Sequence, residues 1–525
     1  MSHYNMLCNF NYRILLVTSC ILLFSACDNH SANDKEAFAL GYAAAWSSQD
    51  PTKLAAHYAE DGYISVNGGA PSIGRDAIAK KAQGFMTAFP DMIVTLDKLE
   101  VKNNKVLFHW HWIGTNSGPG GSGKKLDIRG FEQWTFNDAG LIVESLGTYD
   151  KAEYERQMGL ASLDKASKLA METLIVDTHI DVPYRLQRKW EDVSVATKGG
   201  DFDFPRAVQG GLNVPFMSIY IPADYQNGRA YDFGNKMIDI VERMVKESPT
   251  KFAIAKSTSD LQKHFEQNLI SLPLGMENGA PLEGDLENLK HFYERGIRYI
   301  TLTHSKANHI SDSSYDEERP NNGLSDFGKG LVGEMNKIGI MIDVSHISDA
   351  AFYQVMELSK VPVIASHSSL RHFIPGMERN MSDDMLKALK KNGGVIGINF
   401  GSFFLTKEAN DWNKARNEFV GDAENVAEKR AEYRKLNPYP FATVDDVLDH
   451  IDRAVQIMGI DHVGLGSDYD GVGDSLPIGL KDASTFPNLI QGLLDRGYSD
   501  ADIKKILSEN MIRVWRAVED YAKQN

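Results

Sequence analysis

His179 and Asp181 follow a short β-branched run, Leu174-Ile-Val176, and stand two residues apart. On an extended strand, residues i and i+2 point the same way, so this pair can hold one cation. Similar apolar runs lead into Glu277, His346, His367 and Asp468. His346 and His367 can share a second cation, and Glu277 can offer one oxygen to each. Zinc is the first expectation, because a borderline cation accepts mixed imidazole and carboxylate ligands. Two such ions about 3.5–4 Å apart would clamp a bridging water and bring its pKa toward about 7. Three further residues complete a hydrolytic set. His304, at the end of Tyr299-Ile-Thr-Leu-Thr-His304, can hydrogen-bond the oxyanion of a tetrahedral intermediate. Asp468 can take a proton from the water and pass it to a leaving amine. Arg379, in Gly376-Met-Glu-Arg-Asn380, can grip a substrate carboxylate bidentately. A single strand-end histidine is commonly a hydrogen-bonded structural residue. Five ligand-type residues at the same end of successive strands point to a metal site.

The elements that must position these groups can be read from the same runs. Continuous apolar stretches are the pattern of strands buried on both faces, as in a parallel sheet. Eight are expected near 174–181, 213–222, 271–277, 298–304, 339–346, 361–367, 394–400 and 462–468. Most intervals hold amphipathic helical sequence, such as Asp349–Leu358 and Ser382–Lys391. Eight strands alternating with helices predict an α/β fold of the (β/α)₈ barrel kind, with functional residues at the C-terminal strand ends. A doubly wound open sheet is the structural alternative, but no Gly-x-Gly-x-x-Gly follows any of these runs. The charged segment Glu408–Lys435 is expected to be an inserted helical excursion near the barrel mouth.

At 525 residues the chain has room for two domains, and its net charge of −15 argues against a nucleic-acid partner. Its three cysteines, Cys8, Cys20 and Cys27, all fall in the first 27 residues. Ile14–Phe24 is an apolar stretch of secretory length following Arg13, and it runs into Leu23-Phe-Ser-Ala-Cys27. That ending resembles a bacterial lipobox, which implies a signal over 1–26, cleavage before Cys27, and lipidation of that residue. The expectation is a lipid-anchored protein of the bacterial cell envelope, facing the periplasm. Asp28 resembles an inner-membrane retention signal, although the choice between inner and outer membrane stays open. A chain cut there keeps no other cysteine, so its metals must use nitrogen and oxygen ligands. Residues 27–35 are expected to be a polar tether.

From 36 to 155, helix-period sequence precedes alternating strands such as Val106–Ile113 and Phe131–Phe136, which suggests an α+β domain. Ser117–Gly123 is expected to be a hairpin loop. The segment resembles the SnoaL-like polyketide cyclases in Tyr58-Ala-Glu-Asp-Gly62, Ile73-Gly-Arg-Asp-Ala-Ile78, Phe89-Pro-Asp91 and Phe136-Asn-Asp-Ala-Gly-Leu-Ile142. The resemblance implies a small α+β roll. His109, His111, Asp127 and Trp134 are the candidates for lining its cavity, and no catalytic role is assigned to them.

Within a barrel domain expected over 162–525, residues from about 165 to 522 resemble the membrane (renal) dipeptidase family of zinc peptidases. The matching stretches are Asp177-Thr-His-Ile-Asp-Val-Pro183, Leu302-Thr-His-Ser-Lys-Ala-Asn308, Ile340-Met-Ile-Asp-Val-Ser-His346, Ser366-His-Ser-Ser369, Arg379-Asn380 and Gly466-Ser-Asp-Tyr-Asp-Gly471. The resemblance implies that His179, Asp181 and Glu277 bind one zinc, and Glu277, His346 and His367 the other. It also implies that His304 and Arg379 bind substrate, that Asp468 is the acid/base, and that dipeptides are hydrolysed with some tolerance for a C-terminal D-residue. Asn278 stands where the family more often has Gly, and is expected to narrow the pocket. An amidohydrolase acting on a lactone, cyclic amide or N-acyl amino acid through the same binuclear site is the alternative. The oligomeric state, a homodimer included, is left open.

Overall fold

The computed structural model describes residues 34–102, 105–118, 124–158 and 164–525. The expected signal segment and Cys27 lie outside them, as does all but Ser117 and Gly118 of the expected hairpin loop. Two compact units divide the chain near residue 162.

The first unit opens with a helix over 34–47, which begins inside the stretch expected to be tether. Its sheet comprises β1 (Tyr58–Val66), β2 (Ser72–Ile73), β3 (Ile93–Lys102), β4 (Lys105–Thr115), β5 (Lys125–Phe136) and β6 (Ile142–Tyr149), in the order β2-β1-β6-β5-β4-β3. All neighbours are antiparallel except β1 and β6. Period-two alternation on β4 sends Val106, Phe108, Trp110 and Trp112 inward, against helical residues such as Tyr42, Ala82 and Met86. An aromatic cavity opens on this inner face, lined among others by Trp46, Phe85, Trp110, Trp112 and Glu132. None of the four residues expected to line it does so. His109 and His111 fall on the opposite face of β4, Asp127 is exposed and pairs with His111 Nε2 at 2.7 Å, and Trp134 lies in the core stacked on Phe108. For His109, His111 and Asp127 the reason is parity, since they alternate with the inward-facing residues of β4 and β5.

In the second unit, β7 (Val176–Ile180), β8 (Val214–Tyr220), β11 (Leu274–Glu277), β12 (Ile297–Thr301), β13 (Met341–Asp343), β14 (Ile364–Ser368), β15 (Val395–Ile398) and β16 (Val463–Leu465) close into a barrel. Every pair is parallel, and the order is β11-β12-β13-β14-β15-β16-β7-β8. A separate parallel pair, β9 (Phe252–Ile254) and β10 (Ile270–Leu272), lies beside it in sequence. The expected (β/α)₈ barrel is present, and all eight expected runs supply its strands. The strands are shorter than the runs, because several runs finish in loops that carry the functional residues.

The barrel helices bury one stripe each. In Val444–Met458 the buried residues include Val447, Leu448, Ile451, Ala454 and Met458, spaced three and four apart. Its start is set by a reciprocal capping box between Thr443 and Asp446. Asp383–Asn392 begins at the Ser382 cap and ends at Gly393, whose φ of 85° only glycine adopts readily. The expected excursion is present as helices Lys407–Val420 and Val426–Leu436 between β15 and β16. Among the described residues, no helix is long and apolar enough to cross a membrane.

Candidate active site

The barrel topology gathers the residues singled out from the sequence at its C-terminal end. His179 lies in β7 with Asp181 just after it, Glu277 closes β11, and His367 lies in β14. His304, His346 and Asp468 each come three residues beyond a strand, after β12, β13 and β16. His346 and Asp468 have φ values of 68° and 64°, in the left-handed region that non-glycine residues seldom occupy. Strained backbone at both positions turns the chain back over the barrel mouth. Asp468 is fixed there by two bonds to β7 and its following turn: its N–H donates to His179 O at 3.0 Å, and Asp181 N–H donates to Tyr469 O at 2.8 Å.

Glu277 is the centre of the arrangement. Its Oε2 lies 3.4 Å from His179 Nε2, which is itself 3.5 Å from Asp181 Oδ2. Its Oε1 lies 3.1 Å from His346 Nε2, 3.3 Å from His367 Nε2 and 3.4 Å from His304 Nε2. Each carboxylate oxygen therefore faces a different ligand group. Three clusters could hold an ion: His179 with Glu277 and His367, Glu277 with His304 and His346, and His179 with Asp181 and Asp468. These groupings overlap the two sets expected from the sequence without coinciding with them.

The surroundings prepare these nitrogens to ligate. Tyr299 O–H donates to Thr178 O at 3.1 Å, so at 2.9 Å it accepts from His179 Nδ1–H. The lone pair is thereby left on His179 Nε2, which is buried and has no hydrogen-bond partner. Ser366 O–H donates to Asp343 Oδ2 at 2.6 Å and accepts from His367 Nδ1 at 2.7 Å, with the same consequence for His367 Nε2. Such outer partners fix the tautomer and aim of a ligating imidazole. Burial, reinforced by Arg379 at one and His179 at the other, holds His346 and His367 well below the usual histidine range. Neutral imidazole is the form that binds a metal. An orphaned His179 Nε2, a carboxylate with both oxygens engaged and, at His346 and His367, rings kept neutral fit divalent cations of the zinc kind.

Asp468 accepts from Asn399 Nδ2 at 2.8 Å, and burial raises its carboxyl to about 7. Arg379 is 4% exposed, and its Nη1 donates to Ser368 Oγ at 2.7 Å and its Nη2 to His367 O at 2.5 Å. Its Nε is buried without a partner. Beside this group, Tyr315, Met377, Phe403 and Trp412 wall a cleft that reaches Gly471 and Val472. Asn278 does not narrow the pocket as expected. Its side chain is fully buried, donates to Ile221 O and Gln226 Oε1, and accepts from Asn308. Its φ of 79° and these bonds make it a loop staple.

Several contributors were not singled out from the sequence. Asp177 accepts from Ser467 N–H at 2.8 Å and binds β7 to the loop after β16. Asp343 accepts from Ser345 and Ser366 N–H, joining β13 to β14. The available signal was a buried Asp two or three residues before a histidine ligand, in Asp177-Thr-His179 and Asp343-Val-Ser-His346. Tyr299 and Asn399 carry no such signal, because His179 and Asp468 are distant from them in the chain, and Ser366, although next to His367, owes its orientation to Asp343 on the neighbouring strand.

Comparison with known proteins agrees with the geometry. A family model described as membrane dipeptidase (Peptidase family M19) matches residues 163–525. One described as SnoaL-like polyketide cyclase matches residues 36–158. An uncharacterized dipeptidase of Schizosaccharomyces pombe is 32% identical over 373 residues, covering 67% of this chain and 82% of that protein. The crystal structure of the probable dipeptidase PvdM of Pseudomonas aeruginosa superposes with a TM-score of 0.60 at 28% identity, covering 68% of this chain and 98% of that one. A metallo peptidase from Rhodobacter sphaeroides, liganded with a phosphinate mimic of the dipeptide L-Ala-D-Ala, shares the fold at a TM-score of 0.56 and 23% identity, over 66% of this chain and 99% of that one. With the family model spanning the whole barrel and its every ligand-bearing loop, the chain belongs to the membrane dipeptidases of Peptidase family M19 and is a metallopeptidase.

Proposed function

We propose that this protein hydrolyses dipeptides with two divalent cations, zinc first among them, held at the C-terminal end of the barrel. The observation that carries the reading is Glu277, whose two oxygens face separate groups of buried histidine and carboxylate ligands. His179, Asp181 and Glu277 would hold one ion, and Glu277, His346 and His367 the other. Ions held there would lower the pKa of a water and polarise the scissile carbonyl.

The chain's own residues do the rest. Asp468, anchored by Asn399, accepts a proton from the attacking water and returns it to the leaving amine. His304, with its side chain partly open to the cavity, donates to the carbonyl oxygen as charge gathers there. Arg379 supplies a positive charge that water does not screen, placed to hold the free carboxylate of a short peptide. The cleft walled by Tyr315, Met377, Phe403 and Trp412 receives the substrate's side chains.

The full chain should cleave a panel of L,L and L,D dipeptides, lose activity on chelation and regain it with zinc. Full activity in a His346→Ala, His367→Ala double variant would sink the reading. Unchanged turnover in Arg379→Ala would favour a lactone or cyclic amide as substrate.

The apolar stretch Ile14–Phe24 and the lipobox-like Leu23-Phe-Ser-Ala-Cys27 support a lipid anchor on Cys27 and a periplasm-facing place in a bacterial envelope. Labelled palmitate should enter the wild type and not Cys27→Ser. Equal labelling of both would remove the anchor from the proposal.

A further inference from the structure

The first unit contains a charged group that nothing in the barrel chemistry uses. Glu132, on β5, is 6% exposed and lines the aromatic cavity. Three donors converge on its Oε2: Tyr42 O–H at 2.8 Å, Trp134 Nε1–H at 3.0 Å and Ser145 O–H at 2.6 Å. Three donors on one oxygen is the pattern that stabilises an ionised carboxylate. Tyr58 extends the chain, with its hydroxyl 2.7 Å from that of Tyr42. Among the described residues no lysine, arginine or histidine is paired with Glu132, and its surroundings supply hydrogen bonds alone. A buried carboxylate without a counter-charge is costly, and burial accordingly pushes this group above the usual carboxylate range.

The cavity walls bear on what could balance it. Trp46, Phe85, Phe108, Trp110, Trp112 and Tyr149 all line the space, and Glu132 is the only ionisable carboxylate among its lining residues. About 60 Å³ admits the centre of a water-sized sphere, room for a small organic group rather than a single water. Indole and phenol faces attract cations, most strongly where water is excluded. Gly130 permits the close packing of this wall, since a Cβ there would lie 2.4 Å from the Trp110 ring.

We propose that this cavity binds a small organic ammonium ion, its charge set against Glu132 and its alkyl groups against the surrounding tryptophans. An aromatic box with one carboxylate at its base is selective for a cation that is both charged and apolar. A metal ion would find one carboxylate and, beyond it, no polar side chain among the lining residues but the neutral hydroxyls of Thr148 and Tyr149 and the indoles, and a neutral hydrocarbon would leave the carboxylate unbalanced.

The test uses the full-length protein and the fluorescence of the cavity tryptophans. Choline and its uncharged isostere 3,3-dimethylbutan-1-ol have the same shape and differ in charge. Choline should quench saturably and bind roughly tenfold or more tightly than the isostere, a margin expected of a desolvated cation–π and ion-pair site. Glu132→Gln, which keeps the shape and removes the charge, should abolish that preference while leaving hydrolysis by the barrel intact. Equal binding of the two probes, or no saturable quenching by choline beyond a sodium chloride control, would overturn the proposal. So would an unchanged preference in folded Glu132→Gln, and the wild-type comparison decides alone if that variant fails to fold.

Discussion

Tyr299 on β12 and His179 on β7 are separated by β8 and β11 in the barrel wall, yet the phenol oxygen of one lies 2.9 Å from Nδ1 of the other. Because that hydroxyl donates to Thr178 O, the imidazole is held as the tautomer whose Nε2 faces Glu277. Tyr299→Phe removes the acceptor and little volume. Metal affinity should fall roughly 10–100-fold, the usual loss on removing a partner of a ligating histidine. Titration with a chromophoric chelator measures it, and an unchanged affinity would show that packing alone aims His179.

Gly275 tests the same contact from the other side. A Cβ at this position would lie 1.9 Å from Cζ of Tyr299, on the adjacent strand. Gly275→Ala should therefore displace the Tyr299 ring and destabilise the fold by about 1–3 kcal/mol, as overpacking does. Chemical denaturation should show a shifted midpoint together with weakened metal binding.

Asp468→Asn preserves the Asn399 contact in outline and removes the proton carrier. We expect kcat to fall by roughly 10²–10⁴-fold with KM and metal content little changed. A loss of metal from this variant would instead make Asp468 a ligand, as its place beside His179 and Asp181 would allow.

His450 gives a pH prediction remote from the metal ligands. It accepts from Leu370 N–H through Nδ1 and donates to Leu405 O through Nε2, and burial lowers its pKa to about 4. The unfolded chain takes up a proton near the ordinary value of about 6.5, whereas the folded one resists until about 4. Stability from this group is therefore complete above about 6.5 and declines as the pH falls toward 4, by roughly 3 kcal/mol in all. Melting curves of the metal-free protein at successive pH values should show the decline, and His450→Gln should flatten it. Parallel curves for both proteins would assign the acid sensitivity elsewhere.

The barrel was legible because a parallel strand buried on both faces must be apolar throughout, and eight such runs separated by amphipathic helices admit few topologies. His179, Asp181, Glu277, His304, His346, His367 and Asp468 were legible because ligand-type residues interrupt or end apolar sequence, where a charge has no packing role, whereas Arg379 lies in a polar loop and stood out by the family resemblance. Local sequence could not say which oxygen of Glu277 faces which histidine, since that depends on the register of β11 against β8 and β12. It could not show that Asn278 turns away from the pocket or that Tyr299 and Ser366 set the tautomers, because each of these depends on a partner from another strand or loop that only the closed barrel brings near. In the first unit, strand alternation was visible but its phase was not, so His109 and His111 were assigned to the cavity that Glu132 lines. Residue type and period determine which elements form and which residues can do chemistry. Closure of the barrel and the facing of the sheet decide which of them meet.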